Sequence, residues 1–245
     1  MTLAEQTLTF AAQAPSLPNR KALGASMANL IGMVGARNYA CLYLKREHGE
    51  LVIDRSISNV PRPFLERYLE RGYDAADPVF QGVVRAGAHG FWSELTRAMT
   101  LDRAGREVMG NARDFDMKEG FTRRIQLDQG GTAVMMVAGE ELLRSDRARA
   151  ALSMSFDVFA NVGARMLKMS ERSEAEEDDS GEDLSKTQLK VLLMRADGMS
   201  NRAVAVAMGR HEKTIECHVT QILRRLEARN MIDAIRIASR RKLIV

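Results

Sequence analysis

The stretch LSKTQLKVLLMRADGMSNRAVAVAMGRHEKTIECHVTQILRRLEARNMIDAIRIASRRKLI, residues 184–244, decides how the chain is organised. Leu184-Ser185 followed by Val191, Leu192 and Ala196 reads as a capped helix, because a serine hydroxyl accepts from the unpaired N–H groups of a first turn. Asp197-Gly198 stops it, since glycine takes the left-handed conformation that ends helices without steric cost. Ser200 caps a second, short helix with Val204, Ala205 and Met208 on one side, closed by Gly209. A third helix is predicted from His211–Glu212 to Leu226. At about 100° per residue, Ile215, Val219, Ile222 and Leu226 gather on one side of it, and Lys213, Cys217, Thr220 and Arg224 on the opposite side. A fourth helix runs from Ile232 to Arg241, with Ala234, Ile235 and Ala238 apolar, ending in Arg240-Arg241-Lys242. Two short helices around a Gly209 turn, the second with a polar face, make a helix-turn-helix arrangement. An ordinary four-helix cluster explains the same apolar spacing, but not the basic charge that accompanies it.

Residues 184–245 carry 13 Lys and Arg against 5 Asp and Glu, while the rest of the chain carries 23 against 27. The net +4 therefore hides a basic unit of about +8 behind a front part of about −4. At the end of that front part, SERSEAEEDDSGED at 170–183 is acidic and almost free of apolar residues, the composition of a flexible linker. A basic unit on an acidic tether fits nucleic-acid binding, because neutralising phosphates supplies most non-specific affinity; a solvated basic surface is the plainer alternative. With 245 residues, 45% hydrophobic and 28% charged, the chain is neither wholly disordered nor collagen-like. Two cysteines, Cys41 and Cys217, cannot build a disulfide scaffold or a multi-thiolate metal site. The longest uncharged stretch, residues 22–36, falls short of the ~20 apolar residues that span a bilayer. The first residues, MTLAEQTLTFAAQA, lack a basic leader and carry Glu5, so a cytoplasmic location is expected.

The run at 184–245 resembles the LuxR-type helix-turn-helix domain. The features that carry the resemblance are Leu184-Ser185, Gly198, the turn Ala205-Val206-Ala207-Met208-Gly209 and the run Lys213-Thr214-Ile215-Glu216-Cys217-His218. It departs at Gln188, where glutamate is usual, and at Arg210-His211, where an aliphatic residue and a Ser/Thr cap are usual. The resemblance implies that the helix from Glu212 enters the major groove. Glu216, Thr220 and Gln221 would lie near base edges, and Lys213, Thr214 and Arg224 near the backbone, with Cys217 on the same face.

The first 169 residues must supply the input to this unit. Arg20–Val34 reads as an amphipathic helix, Asn38–Lys45 and Leu51–Ser58 as strands, and Phe64–Arg71, Pro78–Ala86 and Leu101–Phe115 as helices. Strands at Phe121–Leu127 and Thr132–Ala138 flank an Asp-Gln-Gly-Gly turn, and a long helix follows from Glu141 to Met169. Without regular βαβ alternation this is an α+β domain, an antiparallel sheet between helical layers, followed by an all-α four-helix unit. The expected domains are thus 1–169, the linker 170–183, and 184–245. Such a sandwich can hold a small molecule between sheet and helices.

Candidate residues lie in FLERYLERGYDAADPVF and GFWSEL: Tyr68 and Trp92 are aromatic with polar tips, and Asp77-Pro78 begins a helix that Asp77 could simply cap. Their spacing, with an aromatic at 64, Tyr68, Asp77-Pro78, Trp92 and Gly120, resembles the acyl-homoserine-lactone-binding domain of LuxR-type quorum-sensing regulators. The resemblance implies that Asp77 accepts the ligand amide N–H, Tyr68 donates to an amide carbonyl and Trp92 packs on the head group. Gly120 would allow close approach, Thr122 would add a polar contact, and Met117, Val134, Met135 and Met136 would line the acyl end or the core. Phe64 stands where a tryptophan usually donates to the lactone carbonyl, and Arg124 where proline is common, which leaves room for altered ligand preference.

The expected function is a ligand-responsive transcription regulator. Its partners would be an N-acyl-homoserine lactone autoinducer, double-stranded operator DNA, a second copy of the chain in a homodimer, and RNA polymerase, with no membrane and no cofactor. The helices at 141–169 and 232–241 are the expected dimer surfaces. A regulator that is ligand-independent or answers to another small molecule is the alternative. An enzyme is not expected: Gly24-Ala25-Ser26-Met27-Ala28 misses a nucleophile elbow by its last glycine, and His48 and His89 sit in polar stretches.

Overall fold

Capping chemistry sets most of the helices. The structure, a computed structural model, describes residues 1–47, 49–97, 99–178, 184–210 and 212–244. Thr2 and Glu5 form a reciprocal capping box on α1 (Leu3–Gln13), a helix the periodicity had not singled out. Asn19 caps α2 (Arg20–Gly32). After β1 (Asn38–Glu47) and β2 (Glu50–Ser58) come α3 (Arg62–Glu70) and α4 (Pro78–Ala86), the latter with Asp77 as its cap and proline in its first turn. The two-residue β3 (Gly90–Phe91) leads directly into α5 (Trp92–Arg97), and Asp102 caps α6 (Arg103–Arg113). The hairpin of β4 (Glu119–Gln126) and β5 (Thr132–Gly139) turns through Gly130 and Gly131, both at positive φ, as the Asp-Gln-Gly-Gly sequence demands.

The five strands form one antiparallel sheet in the order β2-β1-β5-β4-β3, with a bulge in β1 between Tyr43 and Leu44. Alternation sends Tyr39, Cys41, Tyr43, Phe121, Met135 and Val137 to one face. That face packs on α2 and on α7 (Asp146–Asp178): Tyr39 meets Phe159 at 5.4 Å, Phe121 meets Phe156 at 5.7 Å, and the Tyr43 hydroxyl donates to the Ala160 carbonyl at 3.1 Å. Cys41 is fully enclosed there, and burial pushes its thiol up to about 12. The opposite face, with Leu42, Leu44, Gly120, Thr122, Val134 and Met136, looks toward α3–α6. The α+β class with a sheet between helical layers is therefore as expected.

Two expectations about α7 differ. The helix starts at Asp146, not Glu141, because the Leu143 N–H is tied to the Val34 carbonyl and Ser145 caps the first turn through Ala148. It also continues through 178, so the first part of the acidic segment taken as a flexible linker is helical; residues 179–183 of that linker lie outside the described residues.

The chain divides into two compact units, Met1–Met166 and Leu167–Val245. The second contains α8 (Lys186–Ala196, capped by Ser185), α9 (Asn201–Met208, capped by Ser200 and closed by left-handed Gly209), α10 (Glu212–Arg225) and α11 (Met231–Arg240, capped by Asn230). Val191, Leu192, Val204, Ala205, Ile215 and Ile222 form the heart of its own core. Among the described residues no helix is long and apolar enough to cross a membrane, and no group of His, Cys, Asp and Glu is arranged to hold a metal ion.

Candidate functional site

In the first unit, the polar residues singled out in the sequence pair with one another on the inner side of the sheet. Asp77 does two things at once. Its Oδ1 accepts from the Val79 and Phe80 N–H groups at 2.9 and 3.0 Å, capping α4, and its Oδ2 accepts from the Tyr68 hydroxyl at 2.9 Å. The residue keeps some exposed surface, but its carboxylate is desolvated, and that burial raises its pKa against the pull of the three donors. Tyr68 is pushed well above the usual phenol range, first by burial and then by the Asp77 charge. A carboxylate held in a dry place by a phenol and two amides is poised to accept a further N–H.

Trp92 donates its indole N–H to the Thr122 hydroxyl at 2.7 Å, and both side chains are buried. Gly120 has a different partner from the one expected: a Cβ there would lie 2.3 Å from the Trp92 ring, so the missing side chain makes room for the indole, and only through it for a ligand. Thr122 likewise spends its hydroxyl on Trp92. Phe64 packs on Tyr68 at 5.7 Å and edge-on against Phe115 at 5.6 Å, serving as an apolar wall.

Of the proposed acyl-end residues, Met117 packs with Trp92, Val79 and Ala112, and Val134 with Leu44, Phe80 and Val83. Met135 takes the core alternative, for it is fully buried on the α7 face, the register having turned it away from its neighbours. Met136 is the telling position. It sits mid-way along the central strand of the sheet yet is only half-buried, as is Leu42 on β1, whereas Met135 and Cys41 on the reverse face are sealed. The sheet is tightly covered on one side and leaves space on the other. The sequence pattern had not identified Leu42, Phe80 or Val83 as part of this wall; strand alternation and the Val79, Phe80, Val83 spacing on α4 were the available signals. Ser26 is in the middle of α2 with no strand before it, His89 is exposed, and His48 lies outside the described residues.

In the second unit, α10 buries Ile215 and Ile222, with Leu226 buried just past its end, and exposes Lys213, Glu216, Cys217, Thr220 and Arg224. The Thr220 hydroxyl donates to the Glu216 carbonyl at 3.0 Å and keeps acceptor capacity outward. Thr214 is half-buried at the edge of this face. Gln221 differs from expectation: its Oε1 accepts from the Gln188 amide at 3.2 Å, which turns it toward α8. Gln188 is fully buried, completes the capping box with Ser185, and accepts from Arg225 at 3.0 Å, so a neutral amide serves where the resemblance led us to expect glutamate.

Residues 19–165 match the family described as the autoinducer binding domain, and residues 182–238 match the bacterial regulatory proteins of the luxR family. The chain is similar to the quorum sensing-dependent transcriptional regulator RpaR of Rhodopseudomonas palustris, with 26% identity over 91% of this chain and 86% of that one. Among solved structures it shares the fold of Escherichia coli SdiA, with a TM-score of 0.53 and 14% identity over the whole of both chains. A complex of SdiA with octanoyl-rac-glycerol gives a TM-score of 0.56 and 14% identity, covering 98% of this chain and 95% of that one. A sheet unit matched as an autoinducer-binding domain and a helical unit matched as a luxR-family domain, in this order on one chain, make the protein a member of the LuxR-type quorum-sensing transcriptional regulators.

Proposed function

We propose that the protein binds an N-acyl-homoserine lactone between the inner face of the sheet and α3–α6, and reads operator DNA as a cytoplasmic homodimer through the exposed face of α10. The observation that carries the ligand half is the desolvated Asp77 carboxylate, held by Tyr68 beside a half-open sheet face. In this pose the ligand amide N–H is given to Asp77, the Tyr68 hydroxyl turns its one hydrogen from Asp77 to the ligand carbonyl, and the head group rests on Trp92. The acyl chain runs over Met136 and Val134. On the DNA side, Lys213 and Arg224 supply charge to phosphates while Glu216 and Thr220 meet base edges. Exposed Met154 and Met169 on α7 and Ile232 on α11, 80% exposed, support a two-fold partner, with RNA polymerase as the next protein contacted. The chemistry is binding throughout, with no bond made or broken.

Phe64 favours keeping a second ligand class in view, because it offers no N–H to a lactone carbonyl, and SdiA takes an acylglycerol on the same fold. Thermal unfolding with acyl-homoserine lactones of several chain lengths and with octanoyl-glycerol decides between them. A ligand at 100 times its dissociation constant should stabilise by about 2.7 kcal/mol. A shift with acylglycerol alone moves the protein to the second class, and no shift with either sinks the ligand half. In gel shifts, Thr220→Ala and Arg224→Ala should each weaken cognate binding, the latter also lowering the salt slope by about 1; unchanged affinity in both refutes the α10 face.

A further inference from the structure

We propose that Arg124 selects ligands whose acyl chain ends in a carboxylate, an inference that rests on the lactone site proposed above. Gly120, Thr122 and Arg124 alternate onto the same face of β4. Thr122 accepts from the Trp92 indole N–H at the head end of the space, and Arg124 stands one pleat further, about 6.6 Å along the strand. Its register partner is Val134, and its Nη1 donates to the Val84 carbonyl at 3.3 Å. Val84 and Val134 pack with Leu44, Phe80, Val83 and Met136, so a guanidinium borders the aliphatic end of the site.

Arg124 is half-buried, and no carboxylate among the described residues pairs with it. The Val84 carbonyl lies in the last turn of α4, where the helix dipole favours a cation, but it is a neutral acceptor. One of five N–H donors is spent on it, leaving a fork geometry that suits a carboxylate. A cation partly removed from water and matched only by a neutral group is stabilised by an incoming anion more than by any uncharged chain end. The short step from Thr122 to Arg124 fits a short acyl chain that starts at the Tyr68–Asp77 pair.

The test compares N-hexanoyl-homoserine lactone with N-(5-carboxypentanoyl)-homoserine lactone, which match in length and differ at the chain end. Dissociation constants are measured by calorimetry on the full chain and on Arg124→Met. The wild type should bind the carboxylated ligand at least about tenfold more tightly, and Arg124→Met should reverse the order. Equal affinities in the wild type, or a carboxylate preference that survives in Arg124→Met, overturn the assignment while leaving lactone binding intact. Binding of neither ligand by the wild type overturns both. A purely structural role at the end of α4 would lower the variant's stability and leave the ratio between the two ligands unchanged, which also overturns it. Should Arg124→Met fail to fold, Arg124→Gln gives the same comparison with a neutral polar side chain.

Discussion

At the scale of single residues, Asp77 joins the role of a helix cap to the ligand-binding role proposed for it. As the α4 cap it is replaceable by asparagine, whose oxygen can accept from the same two N–H groups. As a charged acceptor it is not replaceable, because an amide makes the weaker bond. Asp77→Asn should therefore leave the free protein at least as stable at neutral pH while weakening lactone binding by about tenfold to a hundredfold. The direction of the stability change follows from linkage. Burial raises the folded pKa, so the native state is the better proton binder, and its stability falls as pH rises through the carboxylate range to that raised value. The substitution removes this fall. Wild-type affinity should drop as pH is lowered through the raised pKa, and that drop should vanish in Asp77→Asn; titration calorimetry across pH reads both. The sequence offered Asp77 as a possible helix cap, and the resemblance set Tyr68 beside it as a ligand residue. That the cap and the Tyr68 hydroxyl meet on one carboxylate required the 2.9 Å contact.

At the scale of elements, the sequence was most legible where a cap or a period spoke. Ser185, Ser200 and Gly209 bound α8 and α9 where their chemistry said they would, and α4 begins at Asp77-Pro78 as expected. The two-residue β3 and the one-and-a-half-turn α5 were missed because neither is long enough to show a period, and α1 was missed although Thr2-x-x-Glu5 is a capping box. The α11 cap, Asn230, was not singled out in the sequence, and neither was the partnership behind it. Asp233 accepts from Arg236 at 2.6 Å and from the Arg229 N–H at 3.2 Å, and these hold its carboxyl well down, at about 2. A depressed folded pKa contributes stability above the unfolded value of about 3.9, lost as pH falls toward the folded one. Acid unfolding followed between pH 5 and pH 2 should lose part of its steepness in Asp233→Asn, with a lower midpoint at neutral pH. An unchanged acid limb would show that the arginines do not stabilise this turn. The like case at α10 is Gln221: the resemblance placed it near base edges, and only the buried Gln188 amide decides that it turns inward.

At the scale of the molecule, the +4 net charge combines about +8 at 184–245 with about −4 over the residues before it, and the structure gives each of its two compact units its own core. Val191, Leu192, Val204, Ala205, Ile215 and Ile222 bury against one another without help from the sheet, and the sheet is covered by α2 and α7 on one side. The candidate site could be read from sequence only as types and spacings. Trp92 and Thr122 are 30 residues apart, and register is what joins them and separates Met135 from Met136. Two separate cores have a thermodynamic consequence, because cooperative unfolding extends only as far as shared packing does. Calorimetry of the full chain should show two transitions. Saturating lactone should raise only the one belonging to the sheet unit, by about 5–10 °C for a ligand at 100 times its dissociation constant, since about 2.7 kcal/mol is spread over the unfolding entropy of a unit of that size. Operator DNA should raise only the other, and by less as salt increases, because counterion release supplies much of that affinity. A single transition that both ligands move together would mean that the two units unfold as one, and ligand binding could then reach the DNA face through stability alone.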